Sequence, residues 1–146
     1  MKRWYFDIER IQQGNHYGCG IACVATVAGV TYARARHEFF PHVKKFKEGK
    51  HLAVSGEHMV NALRRLGFEA AIEDDFKKLK VPAIVPFKWV HLSKWSGVHA
   101  VVWNPFDRKF VDPGSDHDRG LDNLFYENKW RKSNFSVVAV TGKIAA

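Results

Sequence analysis

Cysteine is almost absent from this 146-residue chain: there are two, Cys19 and Cys23, with three residues between them. One turn apart on a helix, such a pair is disfavoured as a disulfide, so a disulfide-stapled scaffold is excluded and both residues are expected to be thiols in a reducing compartment. Long apolar runs are missing as well. No stretch approaches the roughly 20 apolar residues that a membrane-spanning helix needs, so no membrane span is expected. The opening MKRWYFDIERIQQ starts positively, but Asp7, Glu9 and Arg10 interrupt it before an apolar region develops. A Sec-type signal peptide is therefore not expected, and the cytoplasm is the expected location, with export by another route left open. Repeats, low-complexity tracts and Pro/Gly/Ser-rich linkers are also lacking, which makes residues 1–146 one expected domain. With 46% apolar and 14% aromatic residues, that domain has material for a core without metal or disulfide staples.

Negative charge is scarce. Fifteen Asp and Glu face 23 Lys and Arg, for a net +8 with histidines neutral. This balance favours an acidic partner, or a basic surface that keeps the protein dissolved. The lysines cluster at Lys44, Lys45, Lys47 and Lys50, and again at Lys77, Lys78 and Lys80, but no recognised nucleic-acid motif accompanies them.

The alanine-rich run IACVATVAGV predicts a buried helix from about Cys19 to near Gly29. Thr31 can cap a second helix, YARARHEFF, ended with the help of Pro41. A third follows Ser55, with Glu57 in its first turn, Met59, Leu63 and Leu66 at helical spacing, and Gly67 as its stop. The pattern then changes to short apolar segments, FEAAI, VPAIVPF, VHAVVW and KFVDP, the last two flanking a turn at 104–108. A late helix over about 119–132, with Leu121, Leu124, Phe125 and Trp130 as apolar contacts, precedes a last strand, SVVAVTG. The expected class is α+β, helices first and then an antiparallel sheet with one late helix.

Cys19 stands at the expected helix start, where the helix dipole and free backbone N–H groups stabilise thiolate over thiol. Gly18 and Gly20 beside it permit a sharp turn and close approach by another molecule. Cys23 lies deeper in the same helix and reads as a small core residue. A thiolate acting on an acyl carbon also needs a base, a group to orient that base, and oxyanion donors. His99 opens one strand-like segment and Asp112 closes its hairpin partner, so the two can lie side by side. Gln13, six residues before Cys19, can offer its amide with the Cys19 N–H as oxyanion donor, with Gln12 as its rival.

Gln13, then Cys19-Gly20-Ile21-Ala22, then His99-Ala100-Val101-Val102 and Asp112-Pro113 resembles, in this order, the bacteriocin-processing cysteine peptidases, the double-glycine leader peptidases of the papain-like superfamily. Leu66-Gly67-Phe68, Val81-Pro82-Ala83-Ile84 and the late Trp130 before an apolar strand also look like that family, so the resemblance spans nearly the whole chain. It implies a papain-like fold and a hydrolase cleaving a peptide or amide bond, with Cys19 as nucleophile, His99 as base and acid, Asp112 as orienting carboxylate and Gln13 as oxyanion donor. It implies no cofactor and no metal. The family usually has an acidic residue before the cysteine, whereas Gly18 stands here, and family members that mature bacteriocins commonly precede a transporter and an ATPase. A free-standing relative is expected, acting on a peptide or protein substrate of acidic character, on a protein side-chain amide or on a small-molecule amide.

Other readings compete. The loop Asp112 to Asp118 gathers carboxylates and His117, but lacks the full calcium-loop pattern. His16, Cys19 and Cys23 lack the second paired motif of a zinc site. The segment FKWVHLSKW, Phe87 to Trp95, interleaves aromatics with Lys88 and Lys94, as a peptide groove or a platform for single-stranded nucleic acid would. The groove is favoured because it borders His99. A relative that binds peptide without catalysis, or a cysteine deamidase or acyltransferase, is the alternative to a peptidase.

Overall fold

A computed structural model of the chain describes residues 19–39, 56–90, 96–113 and 123–144. Helix α1 (Cys19–Ala28) is the alanine-rich segment, and every side chain from Ile21 to Val27 is buried. A helix that is apolar all round must be enclosed on all sides, and this one is central. Its one interior hydroxyl, Thr26, donates to the Ala22 carbonyl at 2.7 Å and so enters the core satisfied. At its end Gly29 takes a φ of 69°, a left-handed conformation that side chains resist, and the N–H groups of Gly29 and Val30 both reach the Ala25 carbonyl. Thr31 then caps α2 (Tyr32–Phe39), its Oγ1 accepting the Arg34 N–H at 3.1 Å. Helix α3 (Gly56–Arg65) carries Glu57 in its first turn and Arg64 and Arg65 in its last, each sign placed to suit the helix dipole. It turns off at Gly67, with a φ of 92°. Pro41 lies outside the described residues.

Five strands follow: β1 (Phe68–Glu73), β2 (Ala83–Val90), β3 (Ser96–Asn104), β4 (Lys109–Val111) and, after α4 (Asn123–Ser133), β5 (Val137–Lys143). They form one antiparallel sheet in the order β1-β5-β2-β3-β4. Among the described residues the architecture is thus α+β, with four helices and a five-stranded antiparallel sheet. No helix among them is long and apolar enough to cross a membrane.

The sheet is covered on both faces. Ala70, Ile84, Ala100, Val102 and Val138 pack against α1, α2 and α3, whereas Val85, Phe87, Val101, Trp103 and Val137 pack against Phe76 and the Tyr126 and Trp130 side chains of α4. Antiparallel strands with one wet face alternate apolar and polar residues. Here the runs AIV, AVVW and VVAV are continuous because both sides of each strand must be apolar.

Two local features keep the ladder consistent. Pro86 sits within β2, but β5 pairs with β2 only at Ala83 and Ile84, so beyond them no ladder donor is required on that side. Two residues on, the equivalent Lys88 N–H is taken by the Ser133 hydroxyl of α4 at 2.8 Å. In the β3–β4 hairpin, the buried Asn104 accepts the Phe106 N–H at 3.0 Å through Oδ1, and Arg108 adopts a φ of 58° to close the turn.

Helix α4 departs from expectation. Leu124 does not face the sheet; it is 61% exposed. With the helix starting at Asn123, the 3.6-residue repeat turns Tyr126 and Trp130, four apart, onto the sheet and leaves Leu124 on the outside. Leu121 lies outside the described residues. Trp130 donates its Nε1 proton to the Phe135 carbonyl at 2.9 Å, while the buried Trp103 Nε1 has no hydrogen-bonding partner among the described residues; the Trp103 ring packs against those of Phe76 and Phe110.

Glu127 ties α4 to the 74–82 connection through an ion pair with Lys77, with Arg131 adding a second at 2.8 Å. The hydrogen bond from Lys77 holds the Glu127 carboxyl below its ordinary range, burial opposes that, and the charges of Lys77 and Arg131 reinforce it. A carboxyl lowered in the folded state contributes stability above its ordinary value of 4.5, and that contribution is lost as the pH falls through the folded value. Glu127→Gln is therefore expected to cost about 0.5 kcal/mol at pH 7 in urea denaturation, given the partial exposure of the pair. The difference from the parent should close as the pH is taken well below 4.5.

Candidate functional site

The described part of the site begins at the first residue of α1. Cys19 occupies that position, where the backbone N–H groups of the first turn have no partner within the helix. Gln12, Gln13 and the Cys19 side chain lie outside the described residues. Cys23, one turn on, is fully buried in the core between the helices and the sheet, as its place in the apolar run predicts.

The sheet supplies the other half. In the β2–β3 ladder His99 stands opposite Phe87, and in an antiparallel pair opposite residues share a face. His99 therefore points to the side that carries Phe87 and Tyr126, whereas its neighbours Ala100 and Val102 pack beneath the helices. The β3–β4 register pairs Val102 with Val111, which carries Asp112, the next residue, to a diagonal position from His99 on that same face. The result is a 2.7 Å contact between His99 Nε2 and Asp112 Oδ1, with each side chain 15% exposed. The ring of Phe87 meets the imidazole edge-on, 69° between planes and 5.4 Å between centroids, and fixes its plane.

The second carboxylate oxygen is also engaged. Tyr126, on α4, donates its hydroxyl to Asp112 Oδ2 at 2.8 Å. An ionised carboxylate only accepts, so Nε2 of His99 carries the hydrogen that it shares with Oδ1. The proton that the ring exchanges in any reaction then passes through Nδ1. Chemically, the arrangement is an imidazole of fixed tautomer and fixed plane, backed by a negative charge that stabilises its protonated form.

The structure thus brings together His99 and Asp112, the two predicted residues whose side chains are described. Tyr126 was missed by sequence reasoning, which selected α4 contacts by apolarity. A tyrosine four residues before Trp130 on a sheet-facing stripe has a ring to bury and a hydroxyl that then requires an acceptor, and that was the available signal. Of the competing segments, residues 114–118 and 91–95, like His16, lie outside the described residues. Asp112 itself directs both oxygens to His99 and Tyr126, and Phe87 is fully buried in the sheet core. Among the described residues, no three His, Cys, Asp or Glu side chains form a group that could hold a metal ion.

Comparison with models of known protein families finds no match to the chain, and a search of curated proteins finds none either.

Replacing Asp112 by alanine leaves the Tyr126 hydroxyl and the His99 Nε2–H without their acceptor at a position mostly shielded from water. A loss of about 1–3 kcal/mol is expected in chemical denaturation. Asp107→Ala, in the exposed turn of the same hairpin, is expected to stay within about 0.5 kcal/mol of the parent.

Proposed function

We infer that the chain is a papain-like cysteine hydrolase acting on a peptide or amide bond, in the manner of the double-glycine leader peptidases that its motif order resembles. The observation that carries this reading is the 2.7 Å pairing of His99 Nε2 with Asp112 Oδ1, in a domain whose first described helix starts at Cys19. Two residues thirteen apart meet at hydrogen-bonding distance, and with Nε2 turned to the carboxylate it is Nδ1 that is left for proton exchange with a nucleophile.

In the proposed reaction, the Cys19 thiol loses its proton to His99 Nδ1, and the thiolate attacks the carbonyl carbon to form a C–S bond. The negative oxygen is held by the Cys19 N–H and the Gln13 side-chain amide. His99, now imidazolium and stabilised by Asp112, returns its proton to the departing nitrogen as the C–N bond breaks. Water then gives a proton to His99 and its oxygen to the thioester carbon, the C–S bond breaks, and the acid is released with the thiol restored. The excess of Lys and Arg over Asp and Glu favours a substrate of acidic character.

Iodoacetamide labelling across pH tests the reading. Cys19 is expected to alkylate rapidly well below the ordinary thiol pKa of about 8.5, to lose that reactivity in His99→Ala, and to keep it in Cys23→Ala. Cys19→Ala should abolish hydrolysis of an acyl-peptide library, and Cys23→Ala should preserve it. Slow labelling with an ordinary thiol profile would instead argue for a binding module or a structural cysteine.

A further inference from the structure

We propose that Tyr126 is a positioning residue of the site, holding the Asp112 carboxylate in the one rotation that presents Oδ1 to His99. The role rests on the hydrolase reading for its catalytic meaning, but its structural content stands on geometry alone. A carboxylate hydrogen-bonded through one oxygen can swing about its Cβ–Cγ bond and turn the other oxygen to water. Here the second oxygen is pinned by the Tyr126 hydroxyl at 2.8 Å while the first meets His99 at 2.7 Å.

The tyrosine is itself held. Its side chain is 4% exposed, and its ring packs against Phe110 at 5.2 Å, Phe125 at 5.3 Å and Phe87 at 6.2 Å. Phe87 is also the ring that meets His99 edge-on, so one aromatic wall supports both the imidazole and the residue that steers its carboxylate. Beyond Tyr126, helix α4 is fastened to the 74–82 connection by Glu127 pairing with Lys77, and to β2 by the Ser133 hydroxyl accepting the Lys88 N–H. The hydroxyl therefore comes from a rigid base. A ring present only to fill the core would gain nothing from a hydroxyl aimed at an ionisable group, and phenylalanine would serve equally.

The test is Tyr126→Phe, which keeps the ring, compared with Leu124→Ala on the exposed side of the same helix. The first readout is the low-field imidazole N–H proton signal of His99 in NMR, sharp where the Nε2–H···Oδ1 bond protects it from exchange with water. That signal is expected to broaden or vanish in Tyr126→Phe and to persist in Leu124→Ala. The second is iodoacetamide alkylation of Cys19 at pH 7, expected to slow by about three- to tenfold in Tyr126→Phe, the worth of one hydrogen bond. In an Asp112→Ala background the same substitution should slow alkylation no further, since there is no carboxylate left to steer. An unchanged N–H signal, or an equal loss with and without Asp112, would overturn the role and leave Tyr126 as core packing. If Tyr126→Phe loses its fold, 3-fluorotyrosine incorporated at position 126 keeps ring and donor while making the hydroxyl more acidic. A shift of the His99 signal then supports the role and an unmoved signal overturns it. Should Cys19 prove unreactive in the parent protein, the hydrolase reading fails, while loss of the His99 signal in Tyr126→Phe still upholds the positioning.

Discussion

Burial of β3 on both faces is the constraint from which the rest of the architecture follows. Ala100 and Val102 need the helical layer, and Val101 and Trp103 need α4 and the aromatic cluster beneath it. Neither layer can be removed without returning a row of apolar side chains to water, at about 25 cal/mol for each Å² exposed. The strand that carries His99 is therefore clamped between two layers along most of its length. Only toward its beginning does the cover thin, with Val98 48% exposed and His99 partly so. A reactive group at such a place has a rigid base and an open end.

Electrostatics at that open end depend on the layer opposite α1. Helix α1, which begins at Cys19, packs against one face of the sheet, while the Asp112 carboxylate and the Tyr126 hydroxyl stand with His99 on the other. Asp112 lies between a strand and α4, drawing one hydrogen bond from each, so the relative placement of these two elements is set by the same contacts that set the site's geometry. Partial burial strengthens each of these bonds relative to water and raises the cost of leaving any one unmade.

Much of this was legible in the sequence wherever the signal was local. The stop at Gly29, the Thr31 cap, the Gly67 exit and the turn at 104–108 each depend on backbone chemistry within a few residues, and each stands where the residue types put it. The His99–Asp112 pairing was legible for a related reason: a short hairpin fixes its own register, and the diagonal follows from it. What the chain hid is long-range. Nothing in VVAVTGK says that it inserts between FEAAIE and AIVPFKWV, because strand order depends on contacts across some seventy residues. Leu124 misled because apolarity was weighed without phase; once α4 begins at Asn123, its angle decides against it. Tyr126 was passed over because a tyrosine counts for little in an apolar tally although its ring is as buried as its neighbours'.

The placement of β5 has a bearing on how the molecule comes into being. Although it comes last among the described strands, it occupies an interior position, bonded to β1 on one side and to β2 on the other. On the ribosome, the first strand must wait beside the helices without a neighbour, and the β2–β3–β4 hairpins must form as a separate half, until 137–143 has emerged. Joining the two halves closes a loop of about seventy residues, the kind of distant pairing that slows folding and leaves strand edges open in the interval. Pro86 stands on the β2 edge beyond the short stretch that β5 covers, where a missing N–H makes that edge a poor template for a stray strand. The residue that looks out of place in the finished sheet thus guards the nascent one.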